Sequence, residues 1–311
     1  MNSQIITTES TSSFQPATGS TLPAESTGGA RGGAERNAPE KKSKAQILCE
    51  EAINRLADAL EAGRSDAIQQ YLGVMSRFHR YSFCNQLLIL AQRPESTHVA
   101  GYQRWQALGR QVCKDERAIH ILAPILTKRP DPEDAQEGSS QRVCGFRVAY
   151  VFDVAQTVGE PLPSAPQAEG DPGANLEGDL EGIRALYERK GIALEYKENL
   201  DGAEGLSAKG KVYILAGLEP AREFSVLVHE LAHELLHDGE RRKELSRKVK
   251  ETEAEAVAYA VGLSVGLDMN TASADYISLY DGDRDTLRES LESITRVASQ
   301  IIAALTETKA N

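Results

Sequence analysis

Two imidazoles four residues apart, with a carboxylate beside the first, make up the segment His229-Glu230-Leu-Ala-His233. On a helix, side chains at this spacing project from one face about a turn from each other. Their ring nitrogens can then reach one Zn²⁺ at about 2.0–2.1 Å. Glu230 is rotated only part-way off that face, so its carboxylate can reach a water held by the ion. The bland alternative is a helix with two ordinary histidines. A catalytic zinc needs three protein ligands and an open position, and a candidate for the third follows in the chain. Glu251-Thr-Glu253-Ala-Glu255 opens a second apolar-periodic helix 18 residues after His233. Glu251 and Glu255 share a face, and Glu253 points the other way. With Glu251 as ligand, Glu255 can accept the N–H of a ligating histidine and fix its tautomer. With Glu253 as ligand, the position four residues on is Val257, which cannot do this. We assign Glu251; Glu253 and Glu255 remain the alternative registers, and a solvated acidic helix start is the competing reading. His237 extends the histidine stripe by one turn and is assigned a supporting role rather than a ligand's. The expected cofactor is one Zn²⁺ per chain.

The run His229–His237 followed by Glu251–Tyr259 resembles the ImmA/IrrE family of zinc metallopeptidases, within the wider gluzincin pattern. The resemblance spans about 176–270. It implies a zincin-like fold, with His229, His233 and Glu251 as metal ligands and Glu230 as general base. The family often has Asn or Asp where this chain has Glu255. In such a site the ion lowers the pKa of water towards about 7, and Glu230 relays a proton from that water to the leaving amine. Tyr213, Tyr259, Tyr276 and His237 are the conceivable oxyanion donors. Lys211–Leu215 is expected to be the strand edge on which an extended peptide lies.

A second chemistry is written further upstream. Residues 71–129 carry nine basic side chains (Arg77, Arg80, Arg93, Arg104, Arg110, Lys114, Arg117, Lys128, Arg129) against three acids (Glu95, Asp115, Glu116). Phe78, Tyr81, Tyr102 and Trp105 are interleaved with them. Aromatic planes among cations suit unpaired bases, because every base has a π-face and the phosphates need neutralising. The competing reading is an ordinary solvated basic face over an aromatic core.

The order Tyr81-Ser-Phe-Cys-Asn85-Gln86, Gly101-Tyr102-Gln-Arg104-Trp105, Gly109-Arg110, Lys114-Asp-Glu-Arg117, Pro124 and Phe152-Asp-Val-Ala-Gln156-Thr157 resembles the N-terminal domain of ArdC antirestriction proteins. That family implies single-stranded DNA binding and protection of incoming plasmid or phage DNA from restriction. It also implies a C-terminal zincin-like domain. The candidate DNA contacts are Arg77, Arg80, Tyr81, Asn85, Tyr102, Arg104, Trp105, Arg110, Lys114 and Arg117. One departure stands out: a basic, glycine-containing K-G-E-K-G turn is replaced here by Lys114-Asp115-Glu116-Arg117-Ala118.

These groups must be positioned by 311 residues, of which 41% are hydrophobic and 26% charged. That is enough for two domains and a tail. A net charge of −11 excludes a chain that coats nucleic acid uniformly, though not a local basic patch. No run approaches about 18 consecutive apolar residues, so no membrane partner is expected. No secretory signal is evident, and a cytoplasmic location is expected. Cys49, Cys84, Cys113 and Cys144 form no C-x-x-C pair and read as free thiols.

Residues 1–44, rich in Ser, Thr, Gly and Ala, are expected to be a disordered tail. A block at 45–160 opens with helices near 47–60, 66–78 and 82–92. Strands follow near 118–126 and 143–154, joined by a long hairpin loop at Lys128–Gln141. A Pro- and Gly-rich linker is expected at 161–175. The block 176–311 begins with a helix to Lys190, ended by Gly191, and short strands at Ile192–Lys197 and Lys211–Leu215. Helices near 221–238, 244–266 and 284–305 complete it. The expected fold class is α+β in two domains, the second rich in helices. Two functions fit: a single-stranded-DNA-binding protein with a zinc metallopeptidase domain, or a regulatory metalloprotease that cleaves a repressor or stress regulator. A third reading makes the zinc structural.

Overall fold

The computed structural model describes residues 44–128, 141–162, 176–237, 243, 245–269, 279 and 283–310. The expected tail, the tip of the long hairpin and most of the expected linker lie outside them, as does Tyr276. Three helices open the described chain: α1 (Lys44–Glu61), α2 (Asp66–Arg77) and α3 (Phe83–Gln92). Ser82 caps α3 by accepting from the amide of Asn85. Then come β1 (Val99–Gly101), α4 (Tyr102–Ala107), β2 (Arg110–Val112), β3 (Ile119–Lys128), β4 (Gln141–Asp153) and β5 (Thr157–Gly159). The second half runs α5 (Leu176–Lys190), β6 (Ala193–Lys197), β7 (Gly205–Ser207), β8 (Lys211–Leu215), α6 (Pro220–Leu236), α7 (Arg247–Ser264) and α8 (Arg284–Ala310). The class is α+β, with helices dominating the second half.

Three small sheets result. One has the order β1-β4-β3 and is antiparallel throughout. A second pairs β2 with β5, and the third has the order β6-β8-β7. In the third, β6 runs parallel to β8 and β7 antiparallel. This corrects the expectation that Lys211–Leu215 is an edge: both of its sides are taken, and the outer strand is β7. Alternation along a strand reveals which face is buried but not which strands flank it.

The edge of β3 is closed by a helix. Asn85 of α3 donates to Leu122 O at 2.9 Å and accepts from Leu122 N at 2.7 Å. Two turns later, Gln92 does the same to His120, donating to its carbonyl and accepting from its amide at 2.9 Å each. Open strand edges invite further pairing, and these two amides satisfy the groups that would recruit it.

Apolar stripes explain the packing. In α6, Phe224, Leu227, Val228 and Leu231 follow the helical period and are fully buried. Ala254, Val257, Ala258 and Val261 do the same for α7, whose N-terminus is capped by Ser246. One buried cluster takes in Ile53 and Leu56 of α1, Tyr71 and Leu72 of α2, Tyr187 of α5, Ile214 of β8, and the inner faces of α6, α7 and α8. The first described helices therefore share a core with the last. Tyr71 Oη meets Thr295 Oγ1 at 2.5 Å and donates to Gln86 at 3.2 Å. Arg284 bridges back to Asp58 at 2.7 Å. A separate small cluster, including Val74, Phe78, Ile89, Ile119, Ile121 and Val151, lies between the β1-β4-β3 sheet and the helices α2 and α3.

Cys49 and Cys84 form a disulfide linking α1 to α3, which corrects the reading of all four cysteines as free thiols. The two helices are adjacent although 35 residues separate the cysteines, a proximity that no local pattern encodes. Cys113 and Cys144 are free. Among the described residues no helix is long and apolar enough to cross a membrane.

A candidate metal centre and a candidate nucleic-acid face

Helices α6 and α7 pack side by side and bring together the three assigned ligands. His229 Nε2 and His233 Nε2 are 3.1 Å apart, and Glu251 Oε2 lies 3.5 Å from each. One donor atom from each of the three falls within 4.8 Å of the others. Two imidazoles and a carboxylate are a donor set suited to a divalent transition ion, so the residues fit a metal. Glu255, one turn along α7 from Glu251, has Oε2 3.6 Å from His229 Nδ1. Glu253 turns inward instead. Its Oε2 lies 2.9 Å from His237 Nε2, and His237 Nδ1 lies 3.1 Å from His233 Nδ1.

The electrostatics follow from this crowding. Burial opposes the charge of His229, but its contacts with Glu251 and Glu255 outweigh that and hold the imidazole up to about 9. Burial pushes His233 down to about 4, helped by the charge on His229. The contact with His229 holds Glu251 down to about 2. In the metal-free protein one proton on His229 thus sits where a cation's charge would. Glu230 is buried, and loss of solvent raises its carboxyl above the usual range.

A cleft of about 330 Å³ opens over these groups, walled by Gly205, Leu206 and Ser207 of β7 and by Arg247 and Lys250 of α7. A second, of about 230 Å³, continues past Glu230 towards Glu204, Arg222 and Glu255. The strand is tied down by Glu234 of α6, which accepts from the hydroxyl of Ser207 and from Gly210 N at 2.6 Å. At Gly205 β7 lies tight against α6: a Cβ there would fall 2.6 Å from Glu230 Oε1 and 2.7 Å from Val226 Cγ1. Sequence reasoning missed the β7 wall, because three-residue strands carry no periodicity, and it missed Arg247 and Lys250. Tyr213 and Tyr259 do not line the first cleft, whereas His237 does.

The candidate DNA contacts divide into two groups. Trp105 is buried and donates to Phe152 O at 2.9 Å. Asn85 is buried against β3 as described. Arg77 donates to the carbonyls of Ser96 and Pro94 at 2.9 and 2.7 Å. Arg110 is spent on β5, donating to Thr157 Oγ1 at 2.8 Å and to the carbonyls of Thr157, Gly159 and Glu160. Tyr81 is half-buried and points its hydroxyl at Val99 O, 3.4 Å away. These five hold the scaffold together. Arg80, Tyr102, Arg104, Lys114 and Arg117 are exposed.

The Lys114–Arg117 turn is braced from beneath. Gln156 donates to Glu116 Oε2 and Arg117 O, both at 2.8 Å. Asp153 and Gln156 form a capping box, and Asp153 also receives the amides of Thr97 and His98. Asp115 takes φ 66°, the left-handed conformation that Asp tolerates better than most residues other than Gly. The turn therefore forms without the glycines of the ArdC pattern.

Residues 46–152 match the family model described as the N-terminal domain of anti-restriction factor ArdC. Two crystal structures of the antirestriction ArdC protein from plasmid R388, one metal-free and one Mn(II)-bound, align at 16% and 17% identity. Each alignment covers 85% of this chain and 98% of the other, with a TM-score of 0.48. No curated protein matches the chain. Residues 46–152 are an ArdC-type N-terminal domain.

Proposed function

We propose that the chain is a cytoplasmic single-stranded-DNA-binding protein with a zinc metallopeptidase site of ImmA/IrrE type, acting to protect incoming mobile-element DNA from restriction. The DNA-binding role is assigned to 45–160 and the peptidase role to 176–311, joined by 161–175. The observation that carries the hydrolytic half is the convergence of His229, His233 and Glu251 beside the buried Glu230. The ArdC match over 46–152 supports the DNA half, together with the exposed cations Arg80, Arg104, Lys114 and Arg117.

His229, His233 and Glu251 would hold the ion, which when bound supplies Lewis acidity towards a carbonyl and water. The chain's own residues do the rest. Glu230 lies in the cleft with its carboxyl raised by burial, a placement suited to accepting a proton and returning it to a leaving amine. Glu255 and His237 face the outer nitrogens of the two ligand histidines and orient them. Among the described residues β7 pairs only with β8, and its other side would offer backbone groups to an extended peptide.

The test pairs metal analysis with oligonucleotide binding at two ionic strengths. One zinc per chain is expected, with DNA affinity that falls steeply with salt and is unchanged in Glu230→Gln. No binding at low salt sinks the DNA half; no bound metal sinks the hydrolase half. The edge of β7 that has no strand partner among the described residues, beside the His-His-Glu group, favours one second reading, a regulatory protease that cleaves a repressor or stress regulator. Site-specific cleavage abolished by Glu230→Gln and by chelation, without DNA affinity, would establish that reading.

A further inference from the structure

Among the described residues, no protein layer covers the aromatic side chains on one face of the β3–β4 pair. Register places His120 opposite Tyr150, Leu122 opposite Val148, and Pro124 opposite Phe146, so these six share a face. The opposite face, with Ile119, Ile121 and Val151, is the one packed against α2 and α3. On the open face Phe146 is 59% exposed and Tyr150 60%. The two rings stand four residues apart on one strand, about 13 Å at some 3.3 Å per residue. Tyr150 is braced edge-on by His120, with ring centroids 5.1 Å apart and planes at 85°. His120 is in turn fixed by the two backbone bonds from Gln92. His120 borders a concavity whose lining includes Arg93, Lys114 and Arg117 together with Asp115 and Glu116.

We propose that Phe146 and Tyr150 are a stacking platform for the bases of a single strand, whose phosphates run towards Lys114 and Arg117. This rests on the single-stranded-DNA reading above and names its surface. Flat rings on an open sheet face are how several nucleic-acid-binding folds take unpaired bases. Arg93 there is engaged by Glu95 and Glu116, which leaves Lys114 and Arg117 as the exposed cations to meet a phosphate chain. Neither ring was among the side chains that the sequence singled out. Both belong to a strand whose alternation reads equally well as core.

The experiment is fluorescence anisotropy of a labelled oligothymidylate with the full chain, over a range of salt. Phe146→Ala and Tyr150→Ala should each weaken binding about tenfold, as loss of a base stack does. The slope of log affinity against log salt should stay that of the parent, because no phosphate contact is lost. Tyr150→Phe should bind like the parent. Lys114→Ala should make the salt slope shallower by about 0.7. If the parent binds and both alanine variants bind equally well, the platform is wrong and the DNA reading stands. If the parent fails to bind even at low salt, the DNA reading itself falls. If the alanine variants instead abolish self-association in sedimentation and leave binding intact, the face joins two copies of the chain and the proposal is overturned.

Discussion

His237 and Glu253 lie 2.9 Å apart, with His237 2% exposed and the carboxylate wholly buried. The pair stands at the end of a chain of nitrogen contacts that runs through His233 to the metal group. With Glu253 as the acceptor, His237 would carry its hydrogen on Nε2 and offer Nδ1 to His233 Nδ1, 3.1 Å away, an arrangement that would leave the Nε2 lone pair of His233 facing Glu251 and His229. Glu253→Gln and His237→Ala are each expected to weaken metal binding by about 10–100-fold. Competition with a chromophoric chelator measures this, with circular dichroism as the check on folding. Unchanged affinity in both variants would reduce the pair to core packing.

Much of this site was legible because helical spacing is simple. Four-residue separation joins His229 to His233 and Glu251 to Glu255, and the same arithmetic turns Glu253 away from them. That Glu253 ends against His237 depends on how deeply α6 and α7 interlock, and no single helix carries that information. The same limit hid the Cys49–Cys84 bond and made β8 look like an edge. In the ArdC-type domain, residue type was a poor guide to exposure. Trp105 and Asn85 serve the scaffold, while Phe146 and Tyr150 face solvent. The long helices were readable from their apolar stripes, but β2, β5 and β7, at three residues each, were not.

Gly205→Ala places a methyl group against the general-base candidate. The added Cβ would lie 2.6 Å from Glu230 Oε1 and 2.7 Å from both Glu230 Cγ and Val226 Cγ1. Overpacking of this kind costs about 1–3 kcal/mol, and the softest response is displacement of the Glu230 side chain. Turnover by the proposed peptidase should fall at least tenfold, while metal affinity changes little because the three candidate ligand atoms are untouched. Parallel turnover and metal titrations would separate the two effects. A variant with full turnover would show that Glu230 need not stay where it is.

Metal uptake should release a proton and strengthen with pH. Below about 9, His229 carries a proton that an incoming ion must displace. Affinity should therefore rise towards that pH, and calorimetry in buffers of different ionisation enthalpy should show about one proton released. The metal-free protein follows a different rule. His229 is raised on folding, so its contribution to stability is full below about 6.5 and is lost as pH climbs through about 9. His233 is lowered, so its contribution is full above about 6.5 and is lost as pH falls through about 4. The site's share of metal-free stability should crest near neutrality, and metal should remove the alkaline decline. Melting curves with and without chelator across that range would show it; an alkaline decline that persists with metal bound would exclude His229 as a ligand.

Thr295→Val tests whether the two halves of the described chain unfold together. Thr295 belongs to α8, yet its hydroxyl meets Tyr71 of α2 at 2.5 Å inside the shared core. Tyr71 already donates to Gln86, so valine removes only the bond in which the tyrosine oxygen accepts. The expected cost is about 0.5–1.5 kcal/mol. Tyr71→Phe should cost more, because it also strips Gln86 of a donor. The single tryptophan, Trp105, lies in the ArdC-type domain and reports on that half alone. If the main core and the smaller cluster under the β1-β4-β3 sheet unfold as one unit, a cut in α8 shifts the Trp105 transition in urea as much as it shifts the helical signal. A tryptophan midpoint unmoved by Thr295→Val would mean that the ArdC-type domain unfolds on its own, with its first helices detaching from α7 and α8 before the rest gives way.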